Sequence, residues 1–361
     1  STPPEITSRV LELAKKQPDP SDRTLIVNLP AYSPAGDNIY RRIRDRNEGY
    51  RKYIGYTMME TADLPEGWKT ACGAMDEIWV PTKFNRDTFS AAGVPADKIR
   101  IVPLGVDAEF FDPENALPMQ IPGVKGFNFL SVFQWTKRKG WDILLQAWLK
   151  AFRQEDDAAL IIRSYYRNGA EVESRVRDYI AELGYDVNRI PRISVISQPV
   201  PAQHMPSLYK ACQAFVLPTR GEGWGLPFLE AMAMGLPVIG TRFSAHLEFM
   251  NDRNSWLIDN LGAEPVDQEQ VKDSPLYRNT HWGKPSIEHT AELLRYVYEN
   301  RDEARRKAEI ARREALDSWT VEHQAARTAE ALLAEDNAPA EPAQQAPKIR
   351  IPQEFHAPTP P

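Results

Sequence analysis

Glu222 and Glu230 are the carboxylates best placed by the sequence to do chemistry. They sit in the stretch PTRGEGWGLPFLE, residues 218–230. It follows the apolar run Ala214 to Leu217 and leads into a helical pattern, with Pro227 suited to a first helical turn. Gly221, Gly223 and Gly225 allow close backbone approach, and the free N–H groups of a helix opening there attract an anion. Two carboxylates that both touched a phosphate would be repelled by it. They fit if they accept hydrogen bonds from hydroxyls on either side of it. A nucleotide sugar has that layout: ribose, diphosphate, hexose. The plainer alternative is a glycine-rich turn with a carboxylate suited to the helix dipole and a solvated loop glutamate. For the combined pattern, a site is the better reading.

A second stretch, FQWTKRKG over 133–140, places Lys137, Arg138 and Lys139 at another strand-to-helix junction. A lone run of three cations is ordinarily a solvated loop. Opposite a diphosphate, the same cations would neutralise charge developing on a leaving group. A third stretch, GLPVIGTRFSAHLE over 235–248, holds His246, which reads as a surface polar residue rather than a ligand. There is no P-loop lysine signature, no dinucleotide glycine fingerprint, no paired-histidine zinc motif and no nucleophile elbow. His204 is the first histidine in the chain, so a serine–histidine hydrolase and a zinc enzyme both lack their parts.

These loops need a scaffold, and the chain is long enough to provide one. It has 361 residues, or about two domains at ~150 residues each. Lys and Arg number 44 against 50 Asp and Glu, a net charge of -6, which excludes the bulk electrostatic footprint of a nucleic-acid binder. Two cysteines, Cys72 and Cys212, cannot build a disulfide framework. No apolar run approaches the ~20 residues of a membrane span, and the N-terminus lacks signal-peptide features, so a cytoplasmic location is expected.

Short apolar runs at 24–29, 54–59, 77–81, 99–104, 127–133, 159–163, 193–196, 214–217 and 237–241 read as buried strands. Between them, Leu144, Leu145, Trp148 and Phe152 recur at helical spacing. Alternation of this kind predicts an α/β fold of parallel sheets covered by helices. The expected division is a linker or helix over 1–22, a small first unit over 23–118, a second unit over 119–300, helices over 301–335, and a disordered Pro/Ala-rich tail over 336–361. The first unit, with about four strands, reads as an incomplete Rossmann-like domain, to be completed by an upstream segment or a partner chain.

The block EGWGLPFLEAMAMGLPV, from Glu222, is an E-x(7)-E motif. It resembles the signature of family 4 retaining glycosyltransferases with the GT-B fold of two Rossmann-like domains. IVPLGVD over 101–107, followed by Phe110, resembles that family's exit from its N-terminal domain, and Lys139-Gly140 its phosphate-binding pair. The resemblance covers about residues 53–330. It implies metal-independent transfer of a hexose from a UDP-, GDP- or ADP-sugar, with no separate cofactor, to a glycan, lipid-linked or protein acceptor hydroxyl. Glu222 would then hold donor-sugar hydroxyls and Glu230 the ribose. Lys139, helped by Arg138, would bind the diphosphate, with Gly223, Gly225 and Leu226 completing the cradle. Val200 would sit by the base. Glu248 matches the acidic residue after the family's glycine pair, although Ser244 and Ala245 replace those glycines. The chain also has Gln134 or Phe133 where the family carries an arginine, so Gln134 joins the expected donor-binding set. Glu60 is the candidate for the family's absent N-domain histidine.

A non-catalytic nucleotide-sugar-binding or scaffold module, or one part of a split enzyme, is the alternative; a related phosphorylase ranks third. On the leading reading, Glu222→Ala is expected to lower turnover severely and leave folding intact. The basic stretch 301–313 reads as a solvated helix, with peripheral membrane contact as the other option.

Overall fold

The computed structural model describes residues 21, 23–33, 36–165, 171–196 and 198–333. The linker expected over 1–22, apart from Ser21, and the tail expected over 336–361 lie outside the described residues.

The first unit is a four-stranded parallel sheet in the order β1 (Thr24–Asn28), β2 (Lys52–Tyr56), β3 (Glu77–Val80), β4 (Ile99–Ile101). The helices α1 (Ile39–Arg46), α2 (Trp68–Cys72) and α3 (Lys83–Ala91) connect these strands. The apolar run expected over 54–59 leaves the sheet after Tyr56. Residues from Thr57 onward cross toward the second unit, which is what makes Glu60 available there.

The second unit begins with β5 (Phe127–Gln134), α4 (Trp141–Ala151), β6 (Ala158–Tyr165), α5 (Val172–Glu182) and β7 (Arg192–Ile196). It continues through α6 (Met205–Lys210), β8 (Ala214–Leu217), α7 (Leu226–Ala233), β9 (Val238–Thr241) and β10 (Trp256–Ile258). Its six parallel strands run in the order β10-β9-β8-β5-β6-β7. That is the doubly wound order, and its switch point lies between β5 and β8, the place at the strands' carboxyl ends where folds of this kind bind ligands. Strands β8 and β9 are buried throughout, as a parallel sheet covered on both faces demands. The predicted apolar face of α4 seals one side, with Leu144, Leu145 and Trp148 fully buried and Trp148 packed edge-on against Phe129.

Three strands escape the sequence pattern. The terminal strand β10 has only three residues. The antiparallel hairpin β11 (Asn260–Pro265) and β12 (His281–Pro285) is mostly polar and has no apolar alternation. Its long connection carries the helix α8 (Gln268–Asp273) and a 3₁₀ turn, Pro275–Tyr277. Val266, Val271, Tyr277 and Trp282 of this insert are buried with Tyr40, Met59 and Trp68 of the first unit, so the insert belongs to one unit by chain and to the other by core.

The helical end of the chain divides into α9 (Ile287–Glu299), α10 (Arg301–Ser318) and α11 (Val321–Leu333). Within the span 301–335, where helices are expected, the break falls at Trp319–Thr320. There the backbone pairs with Val106, which donates to Trp319 O at 2.9 Å and accepts from Val321 N at 3.0 Å. No side chain fits at Gly105, because a Cβ would overlap the Thr320 backbone. Helix α11 then returns to the first unit, where Ala331 joins Ile54, Tyr56, Trp79 and Val102 in a small core. On α10 the buried residues are alanines, and its basic side chains are interspersed with acids: Arg305 pairs with Asp302, and Arg312 with Asp112.

Gly140 fixes the bend between β5 and α4. Its φ is +68°, and a Cβ there would run into the carbonyl oxygen of Pro218. Gly140→Ala is expected to cost about 3 kcal/mol of stability, measured by urea unfolding. A loss below about 1 kcal/mol would show that the 218 loop moves aside freely.

Candidate active site

The loops after β5 and β8 meet at the switch point of the second sheet. The first ends in a 3₁₀ turn, Lys137–Lys139, and Gly140 in the left-handed region. That turn directs Lys139 Nζ onto both carboxylate oxygens of Glu222, at 2.7 Å each. Arg138 points the same way. Its Nη1 donates to Gly221 O at 2.6 Å and lies 3.7 Å from Glu222 Oε2. Its Nη2 lies 3.4 Å from Glu60 Oε1 of the first unit. The hydroxyl of Tyr277, from the hairpin insert, donates to the other Glu60 oxygen at 3.1 Å. The structure therefore brings Glu222, Lys139, Arg138 and Glu60 into one cluster.

The cluster is almost dry, with the Glu222 side chain only 5% exposed. Burial alone would raise its pKa, but Lys139 and then Arg138 offset this and hold the carboxyl below the usual range. For Arg138, burial works against the charge, and Glu60, Tyr277 and Glu222 outweigh it, leaving the pKa above its ordinary value. Both groups are ionised at neutral pH.

Arg220 and Asp142, which sequence reasoning passed over, hold the two loops together. Arg220 makes a bidentate pair with Asp142 at 2.8 and 2.9 Å and donates to Lys137 O at 2.7 Å. Its backbone N–H donates to Arg138 O at 2.7 Å, and its carbonyl accepts from Gly283 of the insert at 2.8 Å. A planar guanidinium is the side chain suited to this forked contact. In sequence, Asp142 reads simply as a first-turn acid suited to the dipole of α4, so nothing marks it as a partner of a residue 78 positions away.

The glycines serve a different approach from the one expected. A Cβ on Gly221 would strike the Glu60 carbonyl, and one on Gly223 would lie 2.5 Å from Met58 Sδ. They bring the loop against the first unit's 57–61 segment. Gly225, with φ +96°, turns the chain into α7. Leu226 is exposed at the first turn of that helix. Glu230, one turn further on, is half-buried and accepts a hydrogen bond from Tyr209 at 2.6 Å. Burial pushes its pKa up, opposed by the Tyr209 hydroxyl.

The remaining expected residues are dispersed. Gln134 lies at the exposed end of β5, on the rim of a cavity of about 250 Å³ shared with Arg138, Gln270 and Tyr277. Val200 is half-buried in the loop beyond β7. Glu248 Oε2 accepts from Lys83 N at 3.0 Å, so its carboxylate caps α3 of the first unit. Ser244 has φ +77° and accepts from Glu222 N at 2.9 Å; the backbone there explains why a glycine suits the position. His246 is not the surface residue expected. It is fully buried, stacks on Phe228 at 4.6 Å and lies 2.6 Å from Thr241 O through Nε2. Burial lowers its pKa to about 4, so it is neutral at pH 7.

With this geometry established, comparison with known proteins is informative. Residues 125–269 match the family model for glycosyl transferases group 1. A glycosyltransferase structure from Rickettsia africae superposes with a TM-score of 0.62 at 16% identity, over 91% of this chain and 79% of that one. Anabaena HepE, solved with UDP and glucose, superposes with a TM-score of 0.58 at 15% identity, covering 79% and 72%. The chain has the GT-B fold, and residues 125–269 of its second unit are similar to the glycosyl transferases group 1 model. Curated relatives carry glycosyltransferase names as well. A D-inositol 3-phosphate glycosyltransferase of Corynebacterium urealyticum is 30% identical over 223 residues, 56% of this chain and 51% of the relative. The GDP-mannose-dependent alpha-(1-6)-phosphatidylinositol monomannoside mannosyltransferase of Mycolicibacterium smegmatis is 26% identical over 238 residues, 63% and 59%. The chain thus spans about half the length of the curated relatives it matches. The matched region contains Gln134, Lys139, Glu222, Glu230 and Glu248, and stops inside the hairpin insert, before Tyr277. No described helix is long and apolar enough to cross a membrane.

Two outcomes follow from the burial. Glu222→Ala would leave Lys139 dry and without its carboxylate, and Arg138 with Glu60 alone. The expectation of intact folding is therefore revised to a loss of about 3 kcal/mol, read by urea unfolding. Glu222→Gln, which keeps the shape, should lose less. Second, the folded pKa of His246 near 4 lies below its ordinary 6.5. Between those values the unfolded chain binds more protons than the folded one, so stability falls as pH drops from 6.5 toward 4. His246 should supply about 3 kcal/mol of that loss, and His246→Gln should show a shallower pH slope than wild type.

Proposed function

We propose that this chain is a retaining glycosyltransferase that moves a hexose from a nucleoside-diphosphate hexose to an acceptor hydroxyl. The observation carrying this reading is the cluster of Glu222, Lys139 and Arg138 between the N-terminus of α7 and the end of β5, within the region matched by the group 1 family. The relatives' names add support. One is GDP-mannose-dependent, and a structural neighbour was solved with UDP and glucose.

On this reading the donor lies across the crevice, with its ribose toward Glu230, its base toward Val200, and its diphosphate between Lys139 and the free N–H groups of α7. Gln134 contributes a neutral hydrogen-bond donor at the end of β5. Glu222 accepts from hydroxyls of the hexose. The bond from the anomeric carbon to the phosphate oxygen breaks, and Lys139, Arg138 and the helix N-terminus stabilise the negative charge that develops there. The acceptor oxygen forms the new bond from the same face, and its proton passes to the departing phosphate oxygen. The cations supply this stabilisation without a resident metal. The acceptor approaches past Glu60, from the side of the first unit, and a glycan, a lipid-linked sugar or a protein hydroxyl would each meet that requirement.

Calorimetric titration with UDP-, GDP- and ADP-hexoses tests the donor site. One base class should bind, and Glu230→Ala should weaken it by about tenfold, the loss of one charge-assisted hydrogen bond to a ribose hydroxyl. Binding without transfer to any acceptor would assign the non-catalytic module instead. Absence of binding by all three would reject the donor reading.

A further inference from the structure

Arg138 and Lys139 are the two cations of the cluster, and each is already matched by a carboxylate. Lys139 lies on Glu222, and Arg138 lies between Glu222 and Glu60. Two carboxylates thus face two cationic side chains in one cluster. Glu222 is part of the second unit and lies beneath both cations. Glu60 differs from it in two ways: it belongs to the first unit, and it is held from outside the cluster by a neutral hydroxyl.

That hydroxyl is Tyr277. It is buried, and its backbone is fixed by the 3₁₀ turn, with Thr280 Oγ1 donating to Tyr277 O at 2.8 Å. Its OH donates to Glu60 Oε2 at 3.1 Å, leaving Oε1 toward Arg138. The Glu60 carbonyl lies against Gly221, where a Cβ would overlap it. Beside the pair is the polar cavity of about 250 Å³ rimmed by Gln134, Arg138, Gln270 and Tyr277.

We propose that Tyr277 and Glu60 form a positioning pair that holds Arg138 in the donor-free chain and competes with the donor's diphosphate for it. The proposal rests on the donor reading above. When a nucleoside diphosphate enters the cavity, Arg138 turns from Glu60 to the phosphate. Glu60, still held by Tyr277, is then left facing the acceptor side with its carboxylate free. Affinity for the diphosphate is lowered by the repulsion from Glu60. The hairpin insert, through one hydroxyl, decides how firmly that carboxylate stays in place.

The test is titration of UDP, GDP and ADP into the full chain as wild type, Glu60→Gln, Tyr277→Phe and the double variant, with melting temperatures recorded in parallel. Removing the Glu60 charge should tighten binding of the preferred diphosphate about tenfold, from the loss of one nearby like charge in a half-dry site. Tyr277→Phe, which keeps the ring and the packing, should change binding in wild type and have no effect once Glu60 is Gln. The tightening should shrink as salt is added. A purely structural pair would instead lower the melting temperature and weaken binding in both single variants, and that result overturns the proposal. So does binding that Glu60→Gln leaves unchanged in a folded protein. If wild type and every variant bind no diphosphate, the donor reading falls and this proposal falls with it. Binding by wild type with no response to Glu60→Gln rejects the pair alone.

Discussion

A buried carboxylate must have a counter-charge, and in this chain that requirement sets the geometry around it. Glu222 sits at the carboxyl end of β8, away from water, and needs cations within about 4 Å to remain ionised. The neighbouring strand end provides them, because the doubly wound order places β5 beside β8 although 80 residues separate them in sequence. The cations then have to be aimed. The tight turn at Lys137–Lys139 and the left-handed Gly140 do this, and the Arg220–Asp142 fork keeps the two loops in register. The fork is backed by the Arg220 N–H and the Thr219 hydroxyl, which both donate to Arg138 O across the same two loops.

The same requirement couples the two units. Met58 to Glu60 press onto Gly221 and Gly223, and Glu248 caps α3 across the seam. The hairpin insert completes the arrangement. Its backbone bonds to Arg220 on one side, while its apolar residues enter the first unit's core on the other. Helix α11 closes the molecule from the opposite end. A motion that opens the crevice must therefore strain the insert, the α11 return and the glycine contacts together, since packed interfaces of this kind switch between discrete arrangements more readily than they deform.

What the sequence makes legible divides along physical lines. Strands β5, β8 and β9 are readable because burial on both faces demands continuous apolar runs. The E-x(7)-E block is readable because a turn from strand to helix needs glycine and proline at set places. The hairpin insert is not readable. Its strands are polar on the surface, and its four core residues are spread over 17 positions of irregular chain, with no period to detect. Arg220 is invisible for another reason: its partners come from α4 and from the insert, and no local spacing encodes a contact between distant loops. His246 is misread because a histidine among Ser, Ala and Leu in a loop carries no sign of burial. The stack on Phe228 exists only once α7 and the 3₁₀ turn at Ala245–Glu248 have docked.

Charge balance is the feature that separates this site from a simple cationic cradle. An anion hole built from unpaired lysine and arginine would bind any polyphosphate, and binding alone lowers no barrier. Here, each cation already faces a carboxylate, so on the proposed donor reading an entering diphosphate would exchange one carboxylate partner for itself. The free energy that exchange costs would be unavailable for ground-state affinity, while the charge that builds on the departing phosphate oxygen would strengthen its attraction to Arg138 and Lys139. Gln134 fits the same logic. A neutral amide at the rim of the cavity can hydrogen-bond the diphosphate without adding a third cation, which would tip the balance toward tight binding of donor and product alike.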